Sequence, residues 1–220
     1  ATDVTIDAGD GNDTVSVVAR YNTIFGGTGD DTIYSSGTID GGAGDDVIRL
    51  SGSGDDKRFI MGGTGNDTVY FKEVTYAFKY AKNIYSYYEG DGDDVIFGIS
   101  SRDSILVFAS DMTTQKSGAD VIVKVGSGSL TLKNFSGNNV QKSLEYGTAG
   151  DDSISNAKSL MFIDALGGND YVYNSGASVT VDGGKGNDTI KTTSSSYQKI
   201  YGGAGDDSIY KQGYYSSIFG

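Results

Sequence analysis

Apolar residues recur along this chain at intervals that no helix explains. Val15, Ile33, Ile48, Val69, Ile96, Ile154, Val172, Ile190 and Ile209 each stand two positions after an Asp, and all nine are β-branched. A second set, Ile6, Ile24, Ile39, Ile60, Tyr87, Ile163, Val181 and Ile200, precedes a glycine-rich stretch in each repeat, with Glu145 in the equivalent place of one copy. β-branched side chains among polar neighbours suit short strands that turn one face inward. The pattern predicts a strand, a tight turn and a second strand per repeat. One such unit cannot bury its apolar side alone, so a core forms only when repeats stack. The expected fold class is therefore all-β, a parallel β-roll or β-solenoid.

The turn between the two sets is written nine times as a version of Gly-Gly-x-Gly-x-Asp-x-(apolar). Gly26-Gly27-Thr28-Gly29-Asp30-Asp31-Thr32-Ile33 and Gly183-Gly184-Lys185-Gly186-Asn187-Asp188-Thr189-Ile190 are clear copies. The sixth-position acids are Asp13, Asp31, Asp46, Asp67, Asp94, Asp152, Asp170, Asp188 and Asp207, at spacings of 18, 15, 21, 27, 58, 18, 18 and 19 residues. Eighteen residues are two nonapeptides, one full coil, so the turns should stack along one edge. Ser51-Gly52-Ser53-Gly54-Asp55-Asp56 imitates the turn, but Arg58 holds its apolar position. Asp56 is expected on the opposite edge, as a weaker candidate.

From Phe71 to Tyr146 the rhythm changes. Tyr76, Phe78 and Tyr80 alternate with Ala77, Lys79 and Ala81, a period-two strand with an aromatic face. Ser104-Ile105-Leu106-Val107-Phe108 reads as a buried strand. Asp120 to Val125 and Ser129 to Lys133, joined by Gly126-Ser127-Gly128, read as a β-hairpin. The predicted organisation is coils over 1–75, an aromatic-rich β segment with one turn and a hairpin over 76–145, and coils again over 146–220.

Composition narrows the chemistry. There are 34 Gly, 16 Tyr, and no Pro, Cys, His or Trp, with a net charge of −12 from 29 acidic and 17 basic residues. That sign argues against nucleic acid as a partner. The lack of Cys removes disulfides and thiolate metal sites. No apolar run reaches the roughly 20 residues of a bilayer-spanning helix, so membrane insertion is not expected. No signal peptide is visible at Ala1-Thr2-Asp3-Val4, and both ends fall inside the repeat, so the chain is expected to be a segment of something longer. The tyrosines are read as strand residues with an apolar body and a wet tip.

The acids are paired, Asp-Asp or Asn-Asp, directly after a glycine, and that points to a hard cation. Calcium takes six to eight oxygen ligands, carboxylates and carbonyls together. Glycine carbonyls with the sixth-position Asp of adjacent turns supply such a shell, and nine stacked carboxylates without a cation would repel along the edge. Nine turns in one continuous roll leave about eight gaps, and a break in the middle leaves about seven, so about 7–8 Ca²⁺ are expected.

The nonapeptides resemble those of the RTX (repeats-in-toxin) family, haemolysin-type calcium-binding proteins, over roughly 1–97 and 146–220. The resemblance implies that the ligands are the nine marker acids and the turn glycines Gly9, Gly11, Gly27, Gly29, Gly42, Gly44, Gly63, Gly65, Gly90, Gly92, Gly150, Gly168, Gly184, Gly186, Gly203 and Gly205. It also implies secretion, with folding outside the cell or at its surface. Four copies depart from the pattern: Ala8 or Glu89 replaces the first glycine, Thr148 the second, and Ala165-Leu166 both. The middle segment is also RTX-like, and there Asp103 is an additional candidate ligand.

Three functions compete. A calcium-stiffened rod within an adhesin or extracellular fibre is favoured, with copies or adjoining repeats joining end to end into a filament. An accessory repeat domain of a secreted enzyme or toxin is the alternative. Catalysis in the chain itself is not expected, since without His no Ser-His pair and no zinc-protease motif can form. Ice binding needs a regular Thr ladder, and the third-position row Asp10, Thr28, Ala43, Thr64, Asp91, Ala149, Gly167, Lys185, Ala204 is not one.

Overall fold

The computed structural model describes residues 4–17, 22–51, 57–71, 82–100, 102–137, 140–194 and 197–220. The expected aromatic strand at Tyr76–Tyr80 and the imitation turn with Asp56 lie outside the described residues. The chain forms two compact units, Ala1–Lys142 and Ser143–Gly220. Both are all-β, built from parallel coils as the pattern predicts.

The first unit holds β1 (Val4–Asp10), β2 (Thr14–Val17), β3 (Asn22–Thr28), β4 (Thr32–Ser35), β5 (Thr38–Ala43), β6 (Val47–Leu50), β7 (Lys57–Thr64), β8 (Thr68–Tyr70), β9 (Lys82–Tyr88), β10 (Asp93–Phe97), β11 (Ser104–Phe108), β12 (Thr113–Ser117), β13 (Asp120–Val125), β14 (Gly128–Leu132) and β15 (Val140–Lys142). Strands β1 to β11 alternate between two sheets, ordered β1-β3-β5-β7-β9-β11-β15 and β12-β13-β14-β10-β8-β6-β4-β2. The second unit holds β16 (Leu144–Tyr146), β17 (Ser153–Asn156), β18 (Phe162–Asp164), β19 (Tyr171–Asn174), β20 (Thr180–Asp182), β21 (Thr189–Thr192), β22 (Gln198–Tyr201), β23 (Ser208–Lys211) and β24 (Ser216–Phe219). Its parallel sheets run β16-β18-β20-β22-β24 and β17-β19-β21-β23.

The predicted apolar columns stand in register. Val15, Ile33, Ile48, Val69 and Ile96 pair in series across one sheet of the first unit. Ile154, Val172, Ile190 and Ile209 do so in the second. The facing column of the first unit is Ile6, Ile24, Ile39 and Ile60, and its next member is Tyr85, not Tyr87. The fifth coil carries two inward tyrosines where the others carry one isoleucine, and both are fully buried. Ile24, Ile33, Ile39, Ile48 and Ile60 have no solvent exposure, so the middle of a core one or two side chains thick is sealed from solvent. Burying each such side chain stabilises by about 1.5–3 kcal/mol, available only after the neighbouring coil has docked.

The strand at Ser104–Phe108 and the hairpin β13–β14 form as expected, Val125 pairing with Gly128 across the turn. The hairpin is not an appendage: β14 pairs in parallel with β10 and continues the sheet of the roll. A third antiparallel strand, β12, lies outside β13 and is exposed along its whole length. Its Thr, Gln, Lys and Ser side chains have no periodicity for a sequence pattern to detect. Aromatic side chains outside the core stack on one another between coils. Tyr70 lies on Phe97 with ring centres 5.0 Å apart, Tyr88 on Phe108 at 4.7 Å, and Tyr201 on Phe219 at 4.7 Å.

The two edges of the second unit differ in chemistry. At the far ends of its strands from the glycine turns, buried amides link the coils. Asn156 Nδ2 donates to Asn174 Oδ1 at 2.7 Å, and Asn174 Nδ2 to Gln198 Oε1 at 2.8 Å. These amide groups are neutral and satisfy one another, while the hydroxyl of Thr192, next in the column, is buried without a partner. The carboxylates gather on the other edge.

Candidate metal centre

Each repeat turn needs backbone angles that side chains resist. In copy two, Gly27 has φ 111 and Gly29 φ 119. The second and fourth positions of every other copy also lie at positive φ, except in the sixth, where neither Thr148 nor Gly150 does. In the seventh copy Leu166 takes the left-handed conformation itself, at φ 69.

The marker acids form a ladder. Asp31 Oδ1 accepts the backbone N–H of Asp13 at 2.7 Å, Asp46 Oδ1 that of Asp31 at 2.7 Å, Asp67 Oδ1 that of Asp46 at 2.8 Å, and Asp94 Oδ1 that of Asp67 at 3.0 Å. In the second unit Asp170, Asp188 and Asp207 accept from Asp152, Asp170 and Asp188 in the same way, at 2.7–2.9 Å. One oxygen of each accepting carboxylate thus ties neighbouring turns together. The other is left over: Oδ2 of Asp13, Asp31, Asp46, Asp67, Asp170 and Asp188 is buried with no hydrogen-bond partner. A buried carboxylate oxygen without a donor is costly unless a cation meets it.

The surroundings of these oxygens fit such a cation. A methyl group on Gly26 would collide with both Asp31 Oδ2 and the Gly41 carbonyl oxygen. One on Gly41 would collide with Asp46 Oδ2 and the Gly62 carbonyl, and one on Gly183 with the Gly202 carbonyl and, at 2.6 Å, Asp188 Oδ2. In each case the missing side chain keeps open a cradle between a carboxylate oxygen and a carbonyl of the next coil. Among the described residues no group of three or more His, Cys, Asp or Glu could hold an ion by side chains alone. The donor set is one carboxylate with backbone carbonyls, which suits a hard oxygen-seeking ion such as Ca²⁺.

Electrostatics point the same way. Burial, the largest cause, pushes Asp46 up to about 6, Asp67 to about 8 and Asp94 to about 7; Asp91, third in the fifth turn, goes to about 6. Neighbouring carboxylates add to these shifts. Asp188 is raised for the same reasons. Without a cation these five carboxylates resist holding their negative charge.

Not every marker is left open. Asp94 Oδ2 accepts from the Tyr85 hydroxyl at 2.7 Å, and the Tyr87 hydroxyl donates to the Gly92 carbonyl at 2.5 Å. Asp152 Oδ2 accepts from Thr148, from its N–H at 2.5 Å and its hydroxyl at 2.9 Å. Asp207 Oδ2 lies beside Gly202 in the last turn. Asp103 is buried away from the row; its Oδ1 accepts from Asn83 and its Oδ2 from the N–H and hydroxyl of Ser100 at 2.8 and 2.7 Å. It is saturated by donors, as a structural carboxylate would be.

A second ladder was not anticipated from the sequence. The fifth-position residue of each turn accepts the N–H of its counterpart in the next coil. Asn12 accepts from Asp30, Asp30 from Asp45, Asp45 from Asn66, and Asn66 from Asp93, at 2.7–3.1 Å. Asp151, Asn169 and Asn187 repeat this in the second unit. It runs opposite in direction to the marker ladder, so each turn is held from both sides. Its signal was present: all nine fifth positions are Asp or Asn, the two residues with an oxygen at that reach.

The cradle geometry makes a direct prediction. Gly41 lies outside the positive-φ set, so Gly41→Ala adds little backbone strain while its methyl enters the Asp46 cradle. The variant is expected to bind one ion fewer than wild type, counted by equilibrium dialysis with radioactive calcium. An unchanged count would show that the ion does not sit there.

Four segments of the chain, residues 1–17, 7–37, 59–70 and 199–210, match the model of the RTX calcium-binding nonapeptide repeat. No curated protein matches the chain.

Proposed function

We propose that this RTX-repeat chain, a β-solenoid carrying calcium-binding nonapeptides, is a calcium-dependent structural module of an exported bacterial protein, a stiff segment of an adhesin or an extracellular fibre. The observation that carries this reading is the row of buried Oδ2 atoms that the protein itself leaves without a donor. Ions at those positions would neutralise the edge and lock coil to coil. The marker acids whose Oδ2 stays open and the turn glycines are the ligands in this reading, and each ion bridges neighbouring turns. Where calcium is scarce the row of charges opposes folding, which suits a chain that crosses a membrane unfolded and stiffens outside.

Catalysis has no place in this reading. The chain has no His, and its turn acids are tied into ladders. End-to-end joining of copies or adjoining repeats belongs to it. Small-angle scattering across a calcium titration tests the module. The radius of gyration is expected to fall from roughly 50 Å, the scale of an unfolded chain of this length, to less than half of that between about 10⁻⁴ and 10⁻³ M Ca²⁺, the range of extracellular modules. A radius that does not respond to calcium would overturn the reading.

A further inference from the structure

The cradles of the first unit change as they approach the fifth coil. In the cradles of Asp31 and Asp46 the carboxylate oxygen faces a glycine carbonyl of the following coil, Gly41 and Gly62 respectively. In the Asp67 cradle a side-chain hydroxyl takes that place among the nearest atoms. There a methyl on Gly62 would meet Asp67 Oδ2 and, at 2.8 Å, the hydroxyl of Tyr85. Tyr85 reaches this place because it occupies the isoleucine column, paired with Ile60, and its ring is fully buried. Its oxygen therefore stands where the preceding cradles present a carbonyl.

We propose that Tyr85 ends the calcium row of the first unit: its oxygen completes the Asp67 cradle and its proton closes Asp94, which takes no ion. A phenol has one proton to donate and lone pairs left to accept or ligate. The proton goes to Asp94 Oδ2 at 2.7 Å, while Asp94 Oδ1 accepts the Asp67 N–H. Both Asp94 oxygens are thus satisfied by the protein, unlike those of the four preceding markers. The Tyr87 hydroxyl fills the Gly92 carbonyl of the same turn. Two hydroxyls thus satisfy the acceptors of the Asp94 turn without another ion.

This rests on the calcium-binding reading above, and the test separates the two. Calcium bound per chain is counted by equilibrium dialysis for wild type, Asp67→Asn, Tyr85→Phe, Asp94→Asn and Tyr87→Phe. Asp67→Asn is expected to lose one ion. Tyr85→Phe should weaken one site by at least about tenfold, the low end of what removing a group that supports a metal costs. Asp94→Asn and Tyr87→Phe should keep the wild-type count; the latter controls for loss of a buried hydroxyl. An ion lost in Asp94→Asn, or a Tyr85→Phe titration that superimposes on wild type, overturns the assignment alone. A wild-type chain that binds no calcium overturns the proposed function and this assignment together. If Tyr85→Phe does not fold at any calcium concentration, judged by far-UV circular dichroism, the Asp94→Asn count decides.

Discussion

Stripped of metal at neutral pH, the chain is expected to lose most of its far-UV β signal and regain it when Ca²⁺ is restored. Magnitudes decide this. At free calcium a hundredfold above its dissociation constant, each ion adds about 2.7 kcal/mol to the folded state. The cradles at Asp31, Asp46 and Asp188 alone then contribute about 8 kcal/mol, comparable with the whole net stability of an ordinary domain, about 5–15 kcal/mol. Little else compensates. The core is only one or two side chains thick, and the 34 glycines lose more backbone freedom on folding than other residues would. Circular dichroism before and after EGTA checks this. A β signal that survives chelation unchanged would mean that stacking and the Asx ladders suffice.

Protons are expected to replace calcium in part. In metal-free buffer, lowering the pH from about 8 to about 4 should raise the stability of the roll, whereas the calcium-loaded protein should lose ions over the same range. The sign follows from the raised carboxylates. Asp67 at about 8, Asp94 at about 7, and Asp46 and Asp91 at about 6 lie above the ordinary value of an unfolded Asp, about 3.9. Folding without metal therefore takes up protons. The stability linked to that uptake is complete below about pH 4 and is lost as pH rises through 6 to 8. Calcium needs the deprotonated carboxylates, so with the ion present acid acts the other way. Thermal melts at a series of pH values, in buffer freed of metal by ion exchange, read the first effect; calcium titrations at the same pH values read the second. Metal-free melting temperatures that fall on acidification would show that the buried carboxylates do not govern the apo state.

Much of this was legible in the residues because it is local. Strand alternation with period two, the glycines of the turn and the 18-residue spacing are properties of a few neighbouring residues, and they determined the coils, the Val15–Ile33–Ile48 column, the hairpin and the edge on which the carboxylates gather. Thr148 capping Asp152 was also within local reach, four residues apart, and the loss of the second glycine was its sign. Fifth-position Asx was visible in every copy, yet its role required knowing that the next coil's N–H lies beside it.

The tertiary structure decided the rest, because those partners are set by register between coils. Whether Tyr85 or Tyr87 entered the isoleucine column depended on pairing with Ile60, and that pairing brought the Tyr85 hydroxyl to Asp94. Only stacking showed which Oδ2 atoms stay without a donor, since in Asp31, Asp46 and Asp67 the other oxygen is taken by an N–H 15 to 21 residues away. The neutral amide edge of Asn156, Asn174 and Gln198 likewise exists only across coils. A residue's backbone preference is settled by its neighbours in sequence, but the partner of a buried oxygen is settled by whichever coil comes to lie against it.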